Sequence, residues 1–214
     1  MTALLWLAIP PALAMPAPAD DSNNPPVTFL APLALAPHEK TVRRIEDYLS
    51  GLTTIASDFT QVAPDGSLTS GTFYLKRPGK MRWQYNPPTP ILMVSNGSDF
   101  VYYDVELEQV SHIPLDDTLI GFLAQNPIRF AGSVGLTSFS DRAGAIRVTL
   151  AMRDKPGNGE LTLEFSDNPL LIRRMVIRDA AGQVTTVSLN RAHFGVALDD
   201  KMFVFRDPGK KTIH

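Results

Sequence analysis

Four histidines, His38, His112, His193 and His214, are the side chains best suited to hold a metal or move a proton near neutral pH. They are scattered, with no i, i+4 pair and no carboxylate cluster beside any of them. A metal site needs several such ligands converging on one point, so neither a metal nor a cofactor is expected. Asp116-Asp117 and Asp199-Asp200 are adjacent carboxylate pairs, but neighbours on a strand point to opposite faces and make a poor acid/base dyad. A helix cap and a solvated turn are the better readings. No Gly-x-Ser-x-Gly elbow occurs, and Gly79-Lys80 runs into Met81 without the upstream glycine of a phosphate loop. Asn96-Gly97-Ser98 matches a glycosylation acceptor, yet the same residues form a tight-turn signal. The chain reads as a non-enzyme.

What remains is apolar surface. On residues 81–85, alternation places Met81, Trp83 and Tyr85 on one face and Arg82 and Gln84 on the other. Phe59 shares a face with Ile55, and Phe73 with Leu75. Each could be ordinary core. As a set, without a catalytic group, they also suit a concave face that holds a greasy ligand.

The elements that would position these faces are short. Val42, Ile45, Leu49 and Leu52 recur at helical spacing, so residues 38–50 form an amphipathic helix stopped by Gly51. Strand texture follows at 55–62, 68–76, 81–85, 91–95, 99–104 and 109–113, separated by turn signals such as Pro64-Asp65-Gly66, Arg77-Pro78-Gly79 and Asn96-Gly97. Residues 115–130 interrupt this pattern. They place Leu115, Leu119, Phe122 and Leu123 on one helical face, with Asp116 or Asp117 as N-cap and a stop near Asn126-Pro127. Strands resume at 134–140, 146–152, 160–166, 170–178 and 184–193, and residues 202–205 could make a last short one. About eleven antiparallel strands imply a barrel or a sandwich.

Composition narrows the class further. The 214 residues are 44% hydrophobic, with 20 Lys+Arg against 22 Asp+Glu and a net charge of −2. That is ample for one domain and lacks the basic excess of a nucleic-acid binder. With no cysteine, thiolate metal sites, thiol nucleophiles, disulfides and a lipid-modified cysteine have no residue to form on. Residues 1–14 are apolar and end Ala12-Leu13-Ala14, which suits secretory cleavage after Ala14, although no Lys or Arg precedes Lys40. Eight of the 18 prolines fall within the first 37 residues, so 15–37 reads as a mobile Pro/Ala-rich linker. The expected organisation is a signal peptide, this linker, a folded domain over 38–208 and a tail at 209–214.

Asp58-Phe59-Thr60-Gln61, the run Gly71-x-Phe73-x-Leu75-Lys76-Arg77-Pro78, and Met81-Arg82-Trp83-x-Tyr85 together resemble the LolA family of periplasmic outer-membrane lipoprotein carriers. So do the Asn96-Gly97 turn, Tyr102-Tyr103-Asp104, Glu108-Gln109 and the closing Phe203-Val204-Phe205-x-x-Pro208. The resemblance runs in order from about residue 40 to 208 and is strongest over 55–115. It implies an incomplete, unclosed antiparallel β-barrel of about eleven strands, with a helical lid over a hydrophobic cavity.

By the same resemblance, Phe59, Phe73, Met81, Trp83 and Tyr85 would line that cavity, with methionine at a position where the family commonly has an aromatic residue. Residues Leu115, Leu119, Phe122 and Leu123 would belong to the lid. Arg77 matches the arginine that hydrogen-bonds the lid and latches the empty cavity. The implied cargo is the acyl moiety of lipoproteins. It would be taken, by a monomeric periplasmic chaperone, from an ATP-binding-cassette lipoprotein-releasing complex in the inner membrane. Delivery would be to an outer-membrane acceptor or to the membrane itself. Each methylene buried is worth about 0.8 kcal/mol, so acyl chains do not cross water unescorted. A LolA-like regulatory module sensing lipids or lipoproteins, and a carrier of another amphiphilic lipid, are the alternative readings.

Overall fold

Alternation of buried with more exposed side chains runs through several segments, such as Thr54–Val62 and Glu160–Ser166, and builds a sheet. The structure is a computed structural model describing residues 27–31, 36–142 and 144–207. The expected signal peptide at 1–14, most of the linker at 15–37 and the tail at 209–214 lie outside the described residues. Helix α1 (Glu39–Gly51) is followed by β1 (Thr54–Val62), β2 (Leu68–Lys76), β3 (Lys80–Tyr85), β4 (Ile91–Asn96), β5 (Asp99–Asp104) and β6 (Gln109–Pro114). After a short helix α2 (Leu119–Phe122) come β7 (Val134–Arg142), β8 (Ala145–Met152), β9 (Glu160–Ser166), β10 (Leu171–Arg178) and β11 (Val184–Phe194). These eleven form one antiparallel sheet in the order β6-β5-β4-β3-β2-β1-β11-β10-β9-β8-β7. It is unclosed, as expected. Its two edge strands, β6 and β7, are consecutive in the chain, and residues 115–133 connect them.

The chain divides into two compact units. The first comprises Met1–Gly51, Gln61–Leu68 and Pro127–Leu189. Its core is the row of alternate residues Ile146, Val148 and Leu150 on β8 and Leu161, Leu163 and Phe165 on β9, all fully buried. Val42, Ile45 and Leu49 bury the apolar stripe of α1. Polar contacts fix the helix in place. The Tyr48 hydroxyl accepts the Ile172 amide at 3.1 Å, and its ring meets Phe165 edge-on, centroids 6.1 Å apart. Glu46 Oε1 accepts the Phe130 amide at 2.6 Å, and Ser50 Oγ accepts that of Ile128 at 3.0 Å. Upstream of His38, the Leu30 amide donates to the Leu136 carbonyl at 2.7 Å, and the Arg153 guanidinium lies 5.1 Å over the Phe29 ring.

The second unit comprises Leu52–Thr60, Thr69–Asn126 and Asn190–His214. Here β2 to β6 form a meander with two different faces. On one, Phe73 sits opposite Trp83 and Leu75 opposite Met81. On the other, Arg82 Nη1 donates to the Met202 carbonyl at 3.1 Å, and the Tyr103 ring lies 5.4 Å from Phe205. The C-terminal segment therefore covers that second face.

Two expectations need correction. Residues 202–205 do not form a strand; Asp200–Phe203 is a 3-10 turn. Asp199 Oδ1 caps it by accepting the Lys201 amide at 2.9 Å, and Asp200 is held by Lys76 and Lys80 at 2.7 and 2.9 Å. Nor do residues 115–130 form one helix. Leu115–Asp117 is a 3-10 turn, and α2 is a single turn capped by Thr118, whose Oγ1 accepts the Gly121 amide at 2.9 Å. Thr118 itself is extended, φ −119° and ψ 139°, which separates the two turns and takes the cap away from the aspartates.

Ile45→Ala, at a site with no exposure, should destabilise the protein by about 2–5 kcal/mol in urea unfolding. Exposed Lys40→Ala should change it by less than about 0.5 kcal/mol. Equal effects would mean that α1 is not anchored through its apolar stripe. The two lysines also hold the Asp200 carboxyl below its ordinary range. Such a group stabilises the fold above its unfolded pKa and loses that contribution as pH falls through its lower folded value. The Tm difference between wild type and Asp200→Asn should thus be present at pH 5–7 and disappear toward pH 2.

Candidate functional site

The aromatic residues singled out from alternation come together in the second unit. The Phe59 ring meets Trp83 and Tyr85 edge-on, both with centroids 5.1 Å apart, and Phe73 packs on Trp83 at 4.2 Å. Edge-on contacts of this kind suit the ring quadrupoles. Trp83 and Met81 have no exposure at all. Gly71 makes the cluster possible: a Cβ there would stand 2.7 Å from Phe59 Cε1 and 2.1 Å from the Gln84 carbonyl oxygen. This apolar face is therefore filled by its own side chains.

Arg77 lies in the turn between β2 and β3. Its Nε donates to the Leu123 carbonyl at 2.8 Å, and its Nη1 to the Leu52 carbonyl at 2.8 Å. Leu123 is the C-cap of α2, where carbonyls lack intrahelical partners and carry the helix's negative end. A guanidinium suits that place because its donors diverge in a fixed plane. Burial lowers its pKa to about 10, so the charge persists at neutral pH. The surrounding backbone repeats the tie. The Arg77 amide donates to the Thr53 carbonyl at 2.9 Å, and the Gly79 amide to the Ala124 carbonyl at 2.8 Å.

Among the residues expected on the lid, Leu115, Phe122 and Leu123 are buried, whereas Leu119 is half-exposed. Gly121 permits the tight winding of this segment, since a Cβ there would fall 2.0 Å from the Leu115 carbonyl oxygen. An open cleft of about 370 Å³ lies where the segment meets the hairpin turns, with Gly79, Gly97, Leu115 and Ala124 in its wall. Asn96 serves its turn: Oδ1 accepts the Ser98 amide at 3.1 Å.

Met93 and Tyr102 were not assigned to this face from sequence. They share the aromatic face, because Trp83 pairs with Met93 and Met93 with Tyr102 across successive strands. Four successive residues of β5, Phe100 to Tyr103, are buried, so its pattern carries no alternation to read. Among the described residues no group of three or more His, Cys, Asp or Glu could hold a metal ion, and no helix is long and apolar enough to cross a membrane. His38 stacks on Phe139 at 4.4 Å.

An unclosed antiparallel sheet with an apolar, aromatic face and a short capped helix tied to a half-buried arginine defines an open, antiparallel β-sheet protein. A family model described as "Outer membrane lipoprotein carrier protein LolA" matches residues 50–206. An outer-membrane lipoprotein carrier protein of Methylococcus capsulatus is 30% identical over 173 residues, covering 77% of this chain and 83% of that one. Another from Pseudomonas aeruginosa is 31% identical over 189 residues, covering 83% and 89%. The chain belongs to the LolA family. A LolA superfamily protein of Nitrosomonas europaea superposes with a TM-score of 0.42 at 12% identity, over 77% of this chain and 97% of that one; the assignment rests on the sequence matches.

Gly79 and Gly144 both have left-handed backbones, φ +76° and +75°. A Cβ on Gly79 would lie 2.5 Å from the Gly97 Cα, whereas at Gly144 it meets open space. Both alanine variants should suffer the backbone penalty of about 1–2 kcal/mol, and Gly79→Ala should exceed Gly144→Ala by at least about 1 kcal/mol in chemical unfolding. Equal losses would show that the hairpin turns do not need their close approach.

Proposed function

We propose that this protein is a non-enzymatic periplasmic chaperone that binds the acyl moiety of lipoproteins and carries them to the outer membrane. The observation that carries the reading is the pairing of a self-filled aromatic face with an arginine bonded to the carbonyl that closes α2. Phe59, Phe73, Met81, Trp83 and Tyr85 supply the apolar contact, and acyl chains displace their mutual packing. Leu115, Leu119, Phe122 and Leu123 move aside as the lid, and Arg77 is the latch that must release for them to do so. The cargo comes from an ATP-driven release complex in the inner membrane and passes to an acceptor or directly to the outer membrane. The relatives' description as outer-membrane lipoprotein carriers supports this reading, as does the family match across the segment that holds Arg77. The carrier domain spans 38–208 and follows a signal peptide at 1–14 and a linker at 15–37.

Charged hydrogen bonds kept from solvent are worth roughly 1.5–3 kcal/mol each. Closed and loaded states therefore compete, and the latch keeps affinity moderate. Arg77→Leu removes that competition. The variant should accept a labelled lipoprotein normally and then release it to outer-membrane vesicles at least about tenfold more slowly, the effect of one such bond. Arg77→Lys should be milder, because it keeps the charge and loses the fork. Release by Arg77→Leu as fast as wild type at equal loading would reduce Arg77 to a structural cap. Failure of the wild type to take up any lipoprotein would overturn the carrier reading itself.

A further inference from the structure

Two polar atoms of the aromatic face have no hydrogen-bond partner: Trp83 Nε1 and Tyr102 Oη. Both side chains are more than nine-tenths buried, Trp83 completely and Tyr102 with 8% exposure. Interiors satisfy nearly every such group, because an unmet donor has given up its bond to water for nothing. Two orphans on one face are therefore informative.

The register shows that they belong to one arrangement. Trp83 lies opposite Met93 across β3 and β4, and Met93 lies opposite Tyr102 across β4 and β5. Directly opposed residues share a face, so an indole N–H, a thioether and a phenol O–H stand in one row. Phe73 extends that row on β2. The donors sit two strands apart, a spacing of about 10 Å. The indole can only donate. The phenol also keeps its proton, because burial and the nearby Asp104 charge push its pKa up to about 12. The surroundings of Trp83 are the rings of Phe59 and Phe73, neither of which can accept in its plane. A plain hydrocarbon would leave both donors unmet. A chain bearing a carbonyl close to its apolar length would satisfy them and, in turn, bury its own acceptor without loss.

We propose that Trp83 and Tyr102 are polar anchors of the acyl site, donating to ester carbonyl oxygens on separate chains, so that the site selects ester-linked acyl groups over hydrocarbon of equal length. This inference rests on the acyl-carrier reading. It adds a chemical class of ligand and two residues that set it.

The test uses the full chain and two probes: a peptide bearing a cysteine with two ester-linked palmitoyl chains on its glyceryl group, and the same peptide with ether-linked hexadecyl chains. The wild type should bind the ester probe about thirtyfold more tightly than the ether probe, the worth of two ordinary hydrogen bonds. The ester-to-ether ratio should fall to an intermediate value, about fivefold, in Trp83→Phe and in Tyr102→Phe, and toward one in the double variant, whatever the absolute affinities. In the wild type, the indole N–H proton resonance, assigned by its loss in Trp83→Phe, should move downfield with the ester probe and not with the ether probe. Equal affinity of wild type for both probes, or a ratio unchanged in both variants, overturns the anchor assignment and leaves acyl carriage standing. Binding of neither probe by wild type overturns both.

Discussion

A guanidinium withdrawn from water must find oxygen atoms for its donors, and Arg77 finds two of them on backbone carbonyls. Leu52 and Leu123 supply them, and the adjoining amides of Arg77 and Gly79 reach Thr53 and Ala124. Residues distant in sequence are thereby held to one turn. The rest of the second unit follows from that constraint: Gly79 because the neighbouring hairpin comes so near, Gly121 because the segment that presents Leu123 is wound so tightly. Closure is held by polar contacts, while the face beside it is filled by aromatic ones. The two kinds of contact respond to different things, since water competes for the first and an apolar ligand for the second.

Strands were legible because their burial alternates. The expected span 68–76 coincides with β2, 99–104 with β5 and 160–166 with β9, and most others differ by one or two residues. The apolar trio Met81, Trp83 and Tyr85 was readable for the same reason, with Arg82 and Gln84 marking the opposite face. The segment 115–130 misled because four apolar residues at helical spacing look like a helix whether or not the backbone between them winds. The extended Thr118 leaves no trace in that periodicity.

Less of the site was legible, and one reason is that Arg77 bonds backbone carbonyls. No letter in the sequence announces that the Leu52 and Leu123 carbonyls accept from Arg77. The covering of the meander's second face is similarly hidden. Tyr103 meets Phe205, and Arg82 meets the Met202 carbonyl, across more than a hundred residues. With Tyr103 covered on that face and Phe100 and Tyr102 buried on the other, β5 reads as uniformly apolar and the residues of its aromatic face are indistinguishable from the others. The strand expected at 202–205 failed for a related reason: ion pairs to Lys76 and Lys80 draw Asp200 into a turn that local hydrophobicity does not foresee.

A sheet that never closes keeps two rows of unpaired backbone amides and carbonyls, and such rows invite pairing with another molecule. In this protein the edges are guarded differently. β6 terminates at Pro114 and exposes Gln109 and His112, which makes it short and poorly suited to extension. β7 has a register shift between Leu136 and Ser138, and the Leu30 amide already occupies the Leu136 carbonyl. Its far end exposes Asp141 and Arg142. Openness thus brings a hazard of self-association, one met by a proline, a bulge, charges and a short stretch of the chain's own upstream residues.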